Sequence, residues 1–243
     1  MQSSTIAEAG RWNYGLVFAV LCAALWNVPL SGAGTGQDDT VRSQHPAGGL
    51  MRYPDASATH IVFLYANNLW LVPRDGGVAV PLAGPQGVEM YPRFSPDGEQ
   101  IAFVGHYGGN SDLYTIPAAG GIPRRVTHHP AYERLCDWTP DGRLIYASNA
   151  TSFHSRVQQL FTVAIEGGLP ECLPIPWGAA AAMAPDGRRV AYTPYSRDHR
   201  TWKRYMGGLA DDIWLFDLEA RTGTQLTDWD GTDSFPMWHG ECL

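Results

Sequence analysis

Ser95-Pro96-Asp97-Gly98 decides the fold, because close copies of this stretch return along the chain at a nearly constant interval. The copies are Thr139-Pro140-Asp141-Gly142 and Ala184-Pro185-Asp186-Gly187, and we interpret Tyr53-Pro54-Asp55-Ala56 as a worn copy. In such a turn proline presets φ, aspartate hydrogen-bonds to the local backbone, and glycine adopts a positive φ. The interval of about 42 to 45 residues is the period of a four-stranded propeller blade.

The stretches that follow these turns repeat as well. An apolar, alternating run comes first, and then a polar residue leads into an aromatic flanked by aliphatics, which is typical of a strand packed on both faces. These later strands are Asn68-Leu69-Trp70-Leu71-Val72, Asp112-Leu113-Tyr114-Thr115-Ile116, Gln159-Leu160-Phe161-Thr162-Val163 and Asp212-Ile213-Trp214-Leu215-Phe216. Gly-Gly turns follow three of them, and Arg221-Thr222-Gly223 follows the fourth. The sequence therefore predicts an all-β fold, a β-propeller with four-stranded blades.

The repeats divide the chain into blades. We expect four of them, at about residues 50–88, 89–130, 131–176 and 177–231, and the start of a fifth at 232–243. Ser234-Phe235-Pro236-Met237-Trp238 matches Met90-Tyr91-Pro92-Arg93-Phe94, which predicts the first strand of that fifth blade. Because propellers avoid exposed edges by closing a ring, we expect an incomplete propeller from a longer protein. A self-sufficient four-bladed propeller is the disfavoured alternative, since a fifth blade has begun.

Residues 1–33 have the order of a secretory signal peptide. Arg11 precedes an apolar run, and Ser31-Gly32-Ala33 offers small residues suited to cleavage. The alternative is an uncleaved membrane anchor at residues 14–30, because that run approaches the length of a short span. Residues 34–49 are polar and glycine-rich, and we expect a linker there. The protein is therefore expected to be exported, to the periplasm or the outside of the cell.

Charge and cysteine content argue against several functions. The formal net charge is -7 and no Lys/Arg run is present to neutralise phosphates, so we expect no nucleic-acid partner. Cys136, Cys172 and Cys242 remain after export, widely spaced and without a matching pair of histidines, so no zinc site is expected. The three cysteines allow one disulfide at most, and the sequence leaves the pairing open.

An insertion in the fourth blade is the candidate binding site. It lies between the second and third strands, at residues 195–210, and loops carry function more often than strands do. Its basic and aromatic residues predict contact with a peptide carboxylate or a neighbouring domain; they are Arg197, Arg200, Trp202, Lys203, Arg204 and Tyr205. The alternative is a loop that folds back and stacks Trp202 and Tyr205 on the blade.

Catalytic patterns do not accompany the repeat. The sequence has no Gly-x-Ser-x-Gly and no His-Glu-x-x-His. His128-His129 falls in a loop, where neighbouring side chains in an extended segment point apart. Asp211-Asp212 heads a third strand where other blades place Asn68 or Asp112, which favours a hydrogen-bonding role. We therefore expect no catalytic residue, no cofactor and no metal in this chain.

Several longer motifs resemble one family, that of tricorn protease and its bacterial homologues, whose blades are of the PD40 type also found in TolB-like propellers. The resemblance covers about residues 50–240. The segments that carry it are Tyr91-Pro92-Arg93-Phe94-Ser95-Pro96-Asp97-Gly98, Trp202-Lys203-Arg204-Tyr205-Met206-Gly207-Gly208, Asp212-Ile213-Trp214, Leu226-Thr227-Asp228-Trp229-Asp230-Gly231-Thr232-Asp233 and Phe235-Pro236-Met237-Trp238-His239-Gly240. The first is generic to such propellers, whereas the second and the last are much more specific.

This resemblance implies a place within a larger serine peptidase. In the family a six-bladed propeller precedes a seven-bladed propeller, a PDZ domain and the domains that hold the catalytic residues. The chain would then be most of the first propeller, inactive as a peptidase by itself, with the downstream domains and peptides as partners and a role in gating peptides or in assembly. The competing interpretation is a TolB-like periplasmic propeller that binds proteins and has no peptidase activity.

Overall fold

The computed structural model describes residues 50–82, 87–152, 154, 157–196, 198, 201 and 203–243. The expectations of a signal peptide at 1–33 and a linker at 34–49 lie outside these residues. Among the described residues, no helix has the length and apolar character that crossing a membrane requires.

The described strands form four antiparallel sheets of four strands each. The first sheet contains β1 (Arg52–Ala56), β2 (His60–Tyr65), β3 (Asn68–Pro73) and β4 (Val80–Pro81), and the second contains β5 (Val88–Phe94), β6 (Gln100–His106), β7 (Asp112–Pro117) and β8 (Arg124–Arg125). The third contains β9 (Glu133–Trp138), β10 (Leu144–Ser148), β11 (Gln159–Val163) and β12 (Glu171–Cys172), and the fourth contains β13 (Ala180–Met183), β14 (Arg189–Thr193), β15 (Trp214–Asp217) and β16 (Thr222–Gln225).

Each sheet is one propeller blade. Strands pair in chain order within every sheet, and the first strands of successive sheets contact one another: β1 with β5, β5 with β9, and β9 with β13. First strands are therefore the inner strands, next to the propeller axis, and fourth strands are the outer edges. The fold class is confirmed as an incomplete, all-β propeller.

Apolar side chains between neighbouring blades form the core. One cluster joins the first and second blades around Phe103, a second joins the second and third around Leu135, and a third joins the third and fourth around Ile145. Phe103 and Ile145 are fully buried. Burial of one such side chain contributes about 1.5–3 kcal/mol, so these junctions hold each blade to the next.

The Pro-Asp-Gly stretches form the predicted tight turns between first and second strands. Gly98 has φ 75°, and its N–H donates to the Ser95 carbonyl at 2.8 Å. Gly142 and Gly187 have φ 84° and 68° and make the same bond to the first residue of their own turns. Glycine is favoured at these positions because side chains disfavour positive φ.

Tyr53-Pro54-Asp55-Ala56 is not a copy of this turn, and its interpretation as one was wrong. Ala56 pairs with Ile61 as Phe94 pairs with Ile101, so the stretch corresponds to Tyr91-Pro92-Arg93-Phe94 on the next inner strand. Tyr53 and Tyr91 share positive φ values of 51° and 53°, and each lies at a break in strand register. The shared feature is thus a β-bulge at an aromatic-proline pair.

Residues 234–238 occupy the place of a next inner strand without forming a strand. Asp233 N–H donates to the Asp211 carbonyl at 2.8 Å, as Glu89 N–H donates to the Asn67 carbonyl three blades earlier in the repeat. The Trp238 indole donates to the Ala182 carbonyl at 3.1 Å, as the Trp138 indole does to Arg93. No second strand pairs with this segment among the described residues, so the ladder that defines a strand does not form.

Candidate functional site

A cavity of about 760 Å³ lies where the inner strands end and their tight turns begin. The inner strands of four blades and the segment 236–238 contribute to its wall. Because the inner strands lie next to the propeller axis, we name it the axial cavity. Its charged and bulky lining residues include Asp55, Arg93, Asp137, Trp138, Met237 and Trp238. The volume is in the range of ordinary ligand pockets, about 300–1,000 Å³.

The charged groups of the axial cavity also join neighbouring blades. Asp55 accepts the Phe94 N–H at 2.7 Å and lies 3.8 Å from the Arg93 guanidinium. Asp137 accepts the Met183 N–H at 2.9 Å, and Arg93 Nε donates to the Cys136 carbonyl at 3.1 Å. These contacts bind each inner strand to the next one, which fixes the shape of the cavity wall.

Burial controls the ionisation of two of the carboxyl groups that line the cavity, those of Asp55 and Asp137. It raises the pKa of Asp137 from 3.8 to about 6, against the opposing effects of two backbone N–H groups and Arg93. Burial also raises the pKa of Asp55, again against the attraction of Arg93. The charge of the cavity therefore changes with pH in the mildly acidic range.

A second layer of contacts lies beside the axial cavity. Its residues on the inner strands precede those that line the cavity by two positions, toward the beginning of each strand. The rings of Tyr53 and Tyr91 are 4.5 Å apart, and the Arg134 guanidinium lies 4.7 Å from the centre of the Tyr91 ring. Arg134 Nε donates to Asp198 Oδ2 at 2.5 Å. This layer carries contacts from the first blade to the insertion of the fourth, and none of its four residues lines the axial cavity.

The predicted binding loop is described only in part. Lys203 and Arg204 are exposed, and Tyr205 is half-buried against its own loop, where a Cβ at Gly207 would come within 2.7 Å of the Tyr205 hydroxyl. Arg197, Arg200 and Trp202 lie outside the described residues. A peptide or domain contact through these residues therefore stays a prediction.

Sequence reasoning missed Asp198 and Arg134, which the fold brings together from positions 64 residues apart. Their side chains are only 2% and 6% exposed. One signal was available: an arginine within an apolar inner strand must find a buried partner, because an unpaired buried charge is strongly disfavoured. Nothing in the local sequence indicates which acid that partner is.

Buried carboxyl groups also join the blades away from the axis. Glu133 accepts a hydrogen bond from Thr127, whose hydroxyl in turn accepts the Leu113 N–H at 2.8 Å. Burial raises the pKa of Glu133 from 4.5 to about 7. Glu89 is its counterpart one blade earlier: it accepts the Leu69 N–H at 2.6 Å, and burial raises its pKa as well.

The described residues show no developed catalytic or metal centre. His106 Nδ1 lies 3.2 Å from the Ser111 hydroxyl, on an exposed turn, and no carboxylate pairs with His106 within the described part of the chain. That part also contains no cluster of three or more His, Cys, Asp or Glu side chains able to hold a metal. Cys136 is buried, Cys172 and Cys242 are exposed, and all three are free thiols.

Comparison with known proteins identifies related sequences. A family model described as the tricorn protease N-terminal beta propeller domain matches residues 48–243. Tricorn protease homolog 1 of Streptomyces coelicolor is 28% identical over 202 residues, which are 82% of this chain and 19% of that protein. A protein of Sulfurisphaera tokodaii, named as a tricorn-like protease N-terminal subunit, is 26% identical over 170 residues, 66% of this chain and 83% of that protein.

Solved structures of tricorn protease and of TolB also resemble this chain. The crystal structure of the tricorn protease superposes with a TM-score of 0.68 at 25% identity, over 79% of this chain and 19% of that one. TolB from Acinetobacter baumannii superposes with a TM-score of 0.56 at 20% identity, over 75% of this chain and 45% of that one. The second likeness is one of fold alone.

Proposed function

The chain belongs to the family of tricorn protease N-terminal β-propeller domains, and from that premise we propose that it is the non-catalytic propeller of an exported tricorn-like serine peptidase. Its role is to gate peptides or to assemble the peptidase. The observation that carries this proposal is the family match over residues 48–243, which spans all the described blades. The same region corresponds to only 19% of the length of the Streptomyces relative.

The lack of a developed catalytic centre in the described residues supports a non-catalytic role. Acyl transfer requires a nucleophile, a base and a group that orients the base. Among the described residues, Ser111 and His106 supply the first two on an exposed turn, and no carboxylate there orients His106. Purified chain is expected to leave fluorogenic peptides intact. Hydrolysis that a serine-directed inhibitor blocks and that Ser111→Ala abolishes would contradict the proposal.

Exposed apolar side chains that follow the fourth blade support assembly with further domains. They lie in the segment after the outer strand β16, and they are Leu226, Trp229 and Phe235. Large exposed apolar patches mark surfaces that other protein covers. We propose the downstream propeller, PDZ and peptidase domains as the partners. The coding sequence downstream of residue 243 tests this: an in-frame or frameshifted continuation should encode them, and a continuation without a peptidase would contradict it.

Peptide gating predicts that peptides contact the axial cavity. Met237 lines the cavity and is 71% exposed, whereas Met206 is similarly exposed and lies outside it. A fluorescein-labelled decapeptide should show saturable anisotropy with the chain, and Met237→Asp should weaken its binding at least fivefold. Met206→Asp is the matched control and should leave binding unchanged. Equal effects of the two substitutions, or no binding at all, would reject gating and leave assembly as the role.

The likeness to TolB does not favour the competing interpretation, because at 20% identity it concerns fold alone. Export is proposed from the sequence of residues 1–33.

A further inference from the structure

We propose that Asp198 and Arg134 form a latch through which the insertion of the fourth blade closes the axial cavity at the strand-start end. This inference rests on the proposed gating of peptides and adds the contact that controls it. Asp198 belongs to the loop between β14 and β15, whereas Arg134 belongs to the inner strand β9 of the third blade. The latch therefore ties a loop of one blade to the wall of another.

The latch lies directly beyond the axial cavity. Cys136 lines the cavity, and Arg134 precedes it by two residues, which is about 6–7 Å along an extended strand. Arg134 Nη1 lies 3.7 Å from the Cys136 sulfur and donates to the Ala179 carbonyl at 3.2 Å. The guanidinium thus covers the thiol on the side where the inner strands begin, and it bridges the third and fourth inner strands.

Aromatic side chains of the other blades complete the closure. Tyr91 of the second blade packs against the Arg134 guanidinium, and Tyr53 of the first packs against Tyr91. The contacts are therefore continuous from the first blade to Asp198. Asp198 holds the Arg134 guanidinium in place within this set of contacts.

The chemistry of the contact suits a releasable closure. Apolar junctions separate only at the cost of exposing apolar surface, whereas a buried ion pair has already lost the hydration of both charges, so its net contribution is small. Asp198 also accepts the Ser196 hydroxyl at 2.9 Å within its own loop, so its carboxylate keeps a partner after release. Lys203 and Arg204 of the same insertion are exposed, which gives a partner molecule a place to act on the loop.

Cys136 serves as a built-in reporter of the latch. Its side chain is buried, whereas Cys172 and Cys242 are exposed and provide internal references in the same molecule. Labelling the full chain with a polar maleimide at pH 8, followed by peptide mass spectrometry, gives one rate for each thiol. In the wild type, Cys136 should react at least a hundredfold more slowly than Cys172.

Two substitutions open the latch in different ways. Asp198→Ala removes the acid, and Arg134→Met removes the guanidinium while the Asp198 carboxylate keeps its hydrogen bond from the Ser196 hydroxyl. Both should raise the Cys136 rate at least tenfold, while the rates of Cys172 and Cys242 stay unchanged. Asp186→Ala is the matched control, because it breaks a surface pair with Arg189 at 2.6 Å on the same blade and should leave Cys136 protected.

Urea unfolding of each variant distinguishes local opening at the Arg134–Asp198 pair from a loss of stability of the whole propeller. Labelling of Cys136 through a local opening should show a weaker urea dependence than global unfolding. Protection of Cys136 in both variants would overturn the proposal. A Cys136 rate that rises only in proportion to the globally unfolded fraction would also overturn it, because the pair would then stabilise the propeller as a whole. Neither result depends on whether the chain serves a peptidase.

Discussion

Replacing Glu133 by glutamine should remove a large part of the pH dependence of stability. Glu133 is 1% exposed at the junction of the second and third blades, and burial raises the pKa of its carboxyl group to about 7. The folded protein therefore binds a proton that the unfolded chain has lost between about pH 4.5 and pH 7. Stability from this group is complete below pH 4.5 and is lost as the pH rises through 7.

The size of the effect follows from the pKa difference. With pKa values of 4.5 unfolded and about 7 folded, ionisation of Glu133 lowers the free energy of unfolding by about 2.5 kcal/mol between pH 5 and pH 8. For a propeller of this size that is a fall of about 5–10 °C in Tm. Glutamine does not ionise, and it can still accept the hydrogen bond of Thr127.

The charged neighbours of Glu133 are the same in both proteins. Asp112 raises its pKa, Arg125 lowers it, and Glu133 in turn raises the pKa of Tyr146. Buried Asp137, with a pKa raised to about 6, changes stability in the same direction as Glu133. Its contribution is common to wild type and variant, so the comparison between the two isolates Glu133.

Urea unfolding at half-unit steps from pH 5 to pH 8, followed by tryptophan fluorescence, measures the effect. The wild type should lose about 2.5 kcal/mol more than Glu133→Gln across this range. Glu99→Gln is the matched control, because Glu99 is exposed and its replacement should preserve the wild-type pH profile. A Glu133→Gln profile within about 0.5 kcal/mol of the wild type would refute the assignment of a buried, proton-binding carboxyl group.

Four further outcomes are expected. Phe103→Ala should lower the free energy of unfolding by about 3–5 kcal/mol in urea, because it empties a fully buried site between the first two blades; an effect under about 1 kcal/mol would contradict that packing. Gly105→Ala should cost about 1–3 kcal/mol in the same assay, since a Cβ there would lie 2.7 Å from Tyr107; a neutral result would mean that the ring moves freely aside. Trp238→Ala removes the indole bond to the Ala182 carbonyl and the stacking with Arg189, so trypsin should cleave after Arg189 at least fivefold faster than in Trp229→Ala, whose tryptophan is 64% exposed. N-terminal sequencing of exported protein should find cleavage near Ala33, and mature protein that begins at Met1 would argue against a cleaved signal.

The repeated turns predict the architecture well because the information in them is local. A proline, an aspartate and a glycine at fixed positions set the backbone of a tight turn whatever surrounds it, and Gly98 and Gly142 adopt the expected positive φ. The third strands predicted from Asn68, Asp112 and Gln159 begin at those residues. In the fourth blade the strand begins later, at Trp214, since its ladder with the preceding strand begins at the pair Tyr192–Trp214.

The sequence pattern led to a wrong turn prediction at residues 53–56, because the same short motif is compatible with two structures. Pro54-Asp55 resembles the Pro-Asp of the turns, but its neighbour Ala56 pairs with Ile61 within the sheet. Which of the two structures forms depends on pairing with the next strand, and four residues do not carry that information. The segment after Asp233 shows the converse: its side chains dock like those of an inner strand, although no ladder forms among the described residues.

The sequence by itself determined the blade repeat, the tight turns and the order of the strands, because each depends on residues close together in the chain. Tertiary structure alone decided which distant residues meet. The pair of Arg134 with Asp198 spans 64 residues, and the axial cavity draws its wall from four blades. Such contacts depend on the angle between blades and on the path of a long loop, which are set by the packing of the whole propeller and leave no periodic trace in the sequence.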